Sequence, residues 1–443
     1  MRLPVAIQPL IGRENSFTFL RLLFALLVIV GHAFVLGGFG EEPLALWTRR
    51  HLAGRELAVQ GFFVLSGFLI AKSLADDSSL WRFACHRFFR IMPAFWVYLL
   101  VMVFLVAPWW MEAHAPGQFS YGQKLTQGPA SPWHYFEENW ALQTHEFEIV
   151  PLFDGNPVKH TVNGSLWSIK VEASFYLLAA GAVLARRLAR RFALLLGILI
   201  LAVPFVMSLI LGFFIPATAG DAALTAPLAF GSSAAAFLAA ACLWRAFVRP
   251  GWGLFALFAL WYGIVNLDAM NPGWLSSLPL GLGSLVAGPR YWNTSGLAFL
   301  GGMLLWRLRA HLRWDWRLLA LATGLLVAGA RLGAWMAVMP LALPYALLYL
   351  AARLPFRGLE RVGDFSYGVY IFSFPIQQLL IGWGVHRAGV WALIGASIGV
   401  CLPVGALSWY LIEKPALRLG RRLGAWRFRP PAKMEAATAL PVS

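Results

Sequence analysis

Two ionisable side chains interrupt the apolar run FLRLLFALLVIVGHAF near the start of the chain: Arg21 and His32. Charged and titratable groups are costly inside a hydrocarbon layer and default to functional candidates there. Eleven residues at 3.6 per turn amount to about three turns plus 20°, with roughly 16 Å of rise. A helix would therefore carry both residues on one face. Such a line offers a fixed cation for an anionic group and an imidazole able to take a proton near neutral pH. The structural alternatives are an arginine reaching back to lipid headgroups and a histidine hydrogen-bonded to a neighbouring helix.

A second cluster is Arg87-Phe-Phe-Arg90-Ile-Met-Pro93. Arginines three apart share a helix face, and two guanidiniums can clamp one phosphate; a purely topological basic loop is the competing reading. A third is Asn163-Gly-Ser-Leu-Trp167-Ser168-Ile-Lys170-Val-Glu172, where a carboxylate enters an apolar segment. Glu172 would orient a histidine, or else close a salt bridge with Lys170 or an arginine elsewhere. Ser66 and Gly67 sit mid-segment in QGFFVLSGFL, as a polar contact or as a helix-packing notch. Asn163, Trp167, Ser168 and Ser66 are the candidate substrate-binding residues; no spacing suits a metal.

The elements that position these groups are membrane helices. The 443 residues are 59% hydrophobic and 13% charged, about half the charge of a globular domain. Stretches of 15 to 25 apolar residues recur, enough to cross a core about 30 Å thick. The fold class is all-α, a polytopic bundle of ten to twelve spans. The spans expected are 17–36, 57–75, 91–110, 166–185, 192–214, 224–247, 251–267, 293–308, 318–336, 338–352, 365–385 and 389–412, with 338–352 and 275–289 open to being re-entrant. Every second connection is rich in arginine, which puts both termini in the cytoplasm. Residues 1–16 form an N-terminal segment, 17–413 the membrane domain and 414–443 a basic tail with a disordered end. The first span is read as uncleaved.

The formal charge of +16, from 36 Lys and Arg against 20 Asp and Glu, belongs to helix ends facing anionic lipid. It does not indicate nucleic acid, since no basic domain lies outside the spans. Cys85, Cys242 and Cys401 have neither redox nor metal spacing. The connection 111–163 is different in kind. It holds Glu112, Glu137, Glu138, Glu146, Glu148 and Asp154 against Lys124 and Lys159, with four histidines. It reads as an ordered extracytoplasmic loop whose Trp133, Trp140, Tyr135 and Phe136 suit either sugar stacking or a membrane interface.

Arginine–ten residues–histidine in the first span, FFVLSGFLIA, RFFRIMP and LWSIKVEASFYL together resemble the bacterial integral-membrane acyltransferase-3 family. GDFSYGVYIFSFP at 363–375 and SWYLIEKPALRL at 408–419 extend the resemblance over residues 14–420. It implies about ten spans and transfer of an acyl group, commonly acetyl, from acyl-CoA to hydroxyls of cell-envelope glycans. It also matches His32 to the catalytic histidine and Arg21, Arg87 and Arg90 to the important arginines. One departure is Ser373, where the family often has a histidine. The expectation is thus an inner-membrane O-acyltransferase with acetyl-CoA as co-substrate and no metal. It would act on an envelope glycan or lipid-linked saccharide, with His32 as base and Glu172 as its partner. A multi-span transporter or flippase of glycan or lipid is the alternative.

Overall fold

The computed structural model describes Leu10, residues 15–76, 79–114, 121–128, 130–191, Phe258 and residues 290–426. Two expected spans, 192–214 and 224–247, lie outside the described residues, as do all of 251–267 but Phe258, segment 275–289 and the tail beyond 426. The described chain is helical, apart from one isolated bridge between Glu148 and Thr161. The helices are α1 (Phe17–Leu36), α2 (Gly54–Asp76), α3 (Leu80–His114), α4 (Leu166–Arg191), α5 (Arg290–Leu308) and α6 (Trp316–Leu332). They continue with α7 (Trp335–Arg353), α8 (Ser366–Gly382), α9 (Val390–Ser408) and α10 (Lys414–Trp426). Short helical turns fill the loops.

Among the described residues, six helices are long and apolar enough to cross a membrane: α1, α2, α3, α4, α7 and the continuous run of α9 into α10. The protein is a multi-pass membrane protein. Helix α8 is shorter, 17 residues, yet buried on almost every side, packed chiefly between α1 and α9. The expected break before 338 is real: α6 ends at Gly333 and α7 starts at Trp335. Segment 338–352 lies in α7, which runs unbroken for 19 residues despite Pro340 and Pro344 and is long and apolar enough to cross a membrane. The span expected at 91–110 is part of a longer helix that starts at Leu80, capped by Ser79, whose side chain accepts from Arg82 N at 3.2 Å. The basic tail begins with a helix.

Interhelical hydrogen bonds define two ends of the bundle. At the first, Ser16 N donates to Ala351 O at 2.9 Å and Ser16 Oγ to Leu354 O at 2.9 Å, so α1 starts where α7 finishes. Trp81 Nε1 donates to Leu423 O at 3.2 Å, which places α10 at the start of α3. Arg21, Arg87 and Arg90 belong to this basic end. At the opposite, loop end, Asn156 Nδ2 donates to Gln378 O and Gln378 Nε2 to Thr161 O, both at 2.8 Å. These bonds dock segment 130–165 onto the end of α8.

Close helix contact explains several small residues. A Cβ on Gly67 would overlap the carbonyl oxygen of Phe299 in α5, and one on Gly302 the carbonyl of Val64 in α2. Gly301 meets the Pro340 carbonyl of α7 in the same way. Helix α5 is therefore clasped between α2 and α7 at backbone distance, as small-residue membrane interfaces allow. Gly302→Val is expected to cost at least the roughly 1–3 kcal/mol of an overpacked core, because backbone atoms are what it meets. A fall in melting temperature in detergent, with Gly324→Val on an open face unchanged, checks this.

Candidate functional site

Polar side chains from six helices converge on one cavity of about 600 Å³ that opens at the basic end. Helix α2 lines it from Val59 to Ser73, fourteen residues or about 21 Å of depth. Its outer part carries Lys72 and Ser73 of α2, His86 and Arg87 of α3, and Leu417 and Arg421 of α10. Midway lie Ser66, Glu172 and Tyr176, and near the inner end Phe62, Ser168 and Tyr370. Trp409 and Asp364 complete the wall towards α8 and α9.

The arginines divide into two kinds. Arg21 Nη1 donates to Asp364 Oδ2 at 2.9 Å, and Arg90 Nη2 donates to the same oxygen at 2.7 Å. Arg90 Nη1 donates to Glu413 Oε2 at 3.1 Å. Two cations and two carboxylates thus tie α1, α3, the start of α8 and the end of α9 into a neutral lattice. Local sequence explains both acids. Gly363, at φ +144°, lies against the Trp409 indole where a Cβ would overlap it; only glycine fits there. The next residue, Asp364, then accepts from Ser366 Oγ at the N-terminus of α8, where a helix dipole favours an anion. Glu413 closes a π-helical turn, Trp409–Glu413, that points it inward; it is buried and accepts from Ser408 Oγ at 2.9 Å.

Arg87 behaves differently. Its guanidinium lies over the rings of Phe83 and Tyr176, 5.7 and 5.4 Å from their centroids. Its Nε is buried without a hydrogen-bond partner, and among the described residues no carboxylate pairs with it. The Arg87–Arg90 spacing does not form a two-arginine clamp: Arg90 is committed to carboxylates and Arg87 faces the middle of the cavity.

Glu172 takes none of the partners expected from the sequence. Ser66 Oγ donates to Glu172 Oε1 at 2.8 Å, Tyr176 OH donates to the same oxygen, and Ser66 and Tyr176 oxygens are 3.0 Å apart. Lys170 instead reaches the carbonyl of Gln143 in the loop. No bond joins Glu172 to His32 among the described residues. Ser66 and Gly67 therefore split the roles foreseen for them: the serine faces the cavity and the glycine is the packing notch. Ser168 Oγ is 2.6 Å from Tyr370 OH, with which it shares the Ser165 carbonyl. Asn163 is fully buried and donates to Ile371 O at 2.8 Å, so it docks the loop on α8. Trp167 is partly buried against the core, outside the cavity lining. Ser373 Oγ donates to Tyr370 O at 2.8 Å inside its own helix.

His32 stands just past the cavity. Of α1, only Arg21 is among the described lining residues. On α8 the lining face runs through Tyr367 and Tyr370, and one turn further, about 6 Å, Phe374 meets the His32 ring edge-on at 5.3 Å. Phe62 packs on Tyr370 at 5.7 Å. Phe62, Tyr370 and Phe374 are thus an aromatic seam between the cavity and the histidine. His32 is half-buried, and its Nδ1 has no hydrogen-bond partner among the described residues. Beside it, Arg55 donates to Glu42 Oε1 at 3.0 Å, with this pair packed on Gly31 and Gly54. Burial raises the Glu42 carboxyl pKa, against the pull of Arg55.

Sequence reasoning missed Asp364, Glu413, Tyr176, Tyr370 and the Glu42–Arg55 pair. The readable signal was charge balance: cations inside spans need anions, and GDFS and LIEKP held them. In the loop, Tyr135 is not available for stacking, being buried and 2.8 Å from Tyr98 OH. Trp133, stacked on Phe136 at 5.4 Å, and Trp140 are exposed.

Comparison with known proteins agrees with this architecture. The chain is 27% identical over 437 residues to "Nodulation protein 10" of Rhizobium leguminosarum bv. viciae, covering 94% of this chain and 96% of that protein. It is 24% identical over 406 residues to "O-acetyl transferase" of Shigella phage Sf6, covering 91% and 96%. No solved structure gives a significant match. Residues 14–286 match the model of an acyltransferase domain, more than half of the sequence, so the chain belongs to the acyltransferase-3 family.

Proposed function

We propose that the protein is an inner-membrane O-acyltransferase that moves an acyl group, most simply acetyl, from cytoplasmic acyl-CoA to a hydroxyl of an envelope glycan or lipid-linked saccharide. The observation that carries this reading is the graded cavity: cationic at its mouth, hydroxyl-lined midway and closed by aromatic rings beside a histidine. A CoA thioester has the same order along its length, anionic phosphates first, then a thin neutral arm, then the reactive carbonyl. Family membership and the phage relative's printed name support O-acyl transfer.

In this reading the basic end faces the cytoplasm. Arg87 holds a phosphate group of the donor, while Arg21 and Arg90 shape the wall through Asp364. Ser66, Ser168 and Tyr370 offer hydrogen bonds to the amides of the arm. The acceptor arrives at the loop end, where Trp133, Phe136 and Trp140 present aromatic faces, and Asn163 keeps that loop seated. His32 takes the proton of the acceptor hydroxyl as its oxygen attacks the thioester carbonyl; the carbon–sulfur bond breaks, an O-acyl ester forms, and the imidazolium returns the proton to the CoA sulfur, which leaves as the free thiol. Glu172 acts from inside the cavity, holding the Ser66 and Tyr176 hydroxyls in place midway along the path of the arm. Aromatic rings part to join the two sides.

A transporter would bind its cargo without consuming a thioester, so the donor decides between the readings. Full-length protein in nanodiscs is expected to gain about 2.7 kcal/mol of stability at CoA concentrations a hundred times its Kd. Radiolabel from acetyl-CoA should enter the envelope glycan fraction. Arg87→Ala should weaken CoA binding about tenfold or more, since one charge-assisted phosphate contact is lost. Absence of both stabilisation and labelling in the wild type would remove the acyltransferase reading.

A further inference from the structure

Helix α10 has no role so far, yet it forms part of the cavity mouth. Its glycines set it against α3: Gly420 sits on Phe89 and Gly424 on Arg82, both closer than an added Cβ would fit without a shift of the neighbour. That packing holds the helix in place and turns Leu417 and Arg421 to the opening. Arg421 is exposed, and among the described residues it has neither a carboxylate nor a hydrogen-bond partner. Of the arginines lining the cavity, Arg21 and Arg90 are neutralised by Asp364 and Glu413. The uncompensated guanidiniums are therefore Arg87, deep enough to touch Tyr176, and Arg421, at the rim.

Two unpaired guanidiniums at different depths imply a ligand with anionic groups at two depths. Acyl-CoA has this arrangement. Its pyrophosphate adjoins the neutral arm, and its ribose 3′-phosphate lies further from the thioester. We infer that Arg421 is a specificity residue of the donor site, binding the ribose 3′-phosphate of acyl-CoA while Arg87 takes the pyrophosphate. This rests on the acyl-CoA reading above. A phosphate of an anionic lipid headgroup would offer the same chemistry to a rim arginine, so the test has to separate the two sources.

The experiment compares acetyl-CoA with acetyl-dephospho-CoA, which lacks only the 3′-phosphate, using full-length protein in phosphatidylcholine nanodiscs. The wild type is expected to show a KM for the dephospho donor about tenfold higher. Arg421→Ala raises the acetyl-CoA KM to that level, leaves kcat unchanged and does not alter the dephospho KM; Arg421→Lys recovers part of the difference. The inference is overturned if Arg421→Ala changes both donors equally or neither. It is also overturned if the effect of Arg421→Ala appears only when phosphatidylglycerol is added, since the phosphate is then a lipid's. If the wild type uses neither donor, the acyl-CoA reading itself fails, which distinguishes that failure from the loss of Arg421 specificity alone.

Discussion

His32→Ala is expected to leave a folded protein that transfers acyl groups about 10² to 10⁴ times more slowly, the range that a positioned general base contributes. The scaffold should survive because the ring does little to hold it. Its Nδ1 bonds to nothing among the described residues, and its ring contact is the edge of Phe374. The nearby structural work falls to other groups: Gln377 Nε2 donates to Ile29 O at 2.8 Å, and Arg55 pairs with Glu42. Single-turnover label transfer at saturating donor isolates the chemical step, and a thermal melt reports the fold. A variant that melts normally and keeps a rate within about threefold of wild type would show that His32 is not the base. His32→Gln, which keeps a planar polar group without comparable basicity, is expected to be equally slow.

Asp364→Ala is expected to do the opposite, harming the fold first. Its single Oδ2 receives Arg21 at 2.9 Å and Arg90 at 2.7 Å, and its side chain is 13% exposed against 23% and 18% for the arginines. Removing the carboxylate leaves two largely buried guanidiniums, of which only Arg90 keeps a carboxylate, Glu413. Breaking a buried ion pair from one side costs about 3–5 kcal/mol, and here one deletion takes a carboxylate from two cations. Asp364→Asn should be intermediate, since the amide oxygen still accepts a bond but brings no charge. Arg90→Lys should fail nearly as badly as Arg90→Ala, because one ammonium cannot span Asp364 and Glu413 as the guanidinium fork does. Yield of folded protein and melting temperature in detergent measure all four. An Asp364→Ala protein as stable as wild type would mean that the four-residue lattice contributes nothing to the bundle.

These two residues also show what a single sequence can reveal. His32 and Arg21 were legible because their cost is local: each interrupts an apolar run, and helix geometry alone sets their separation. Helix α1 has the bounds expected, Phe17–Leu36. Asp364 carries no such mark. It lies just outside a span, and its partners are 343 and 274 residues away, so only the folded topology brings them together. Glu413 is similar, since its inward direction comes from a π-helical turn that hydrophobic periodicity does not encode. The Arg87–Arg90 clamp had the right helix face but not the acids that claim Arg90. Glu172 stood out as a carboxylate entering an apolar helix, while its partners, Ser66 and Tyr176, include one that its own helix supplies a turn later.

The aromatic side chains Phe62, Tyr370 and Phe374 have a consequence for the cell as well as for the reaction. A passage open from end to end through a membrane protein would let protons run down their gradient and expose an energy-rich ester to water on both sides. Under the proposed function these side chains make the protein an airlock instead: Tyr370, met edge-on by Phe62, and Phe374 beside His32 have to yield for the acyl cargo to cross, so that the voltage across the membrane survives each delivery.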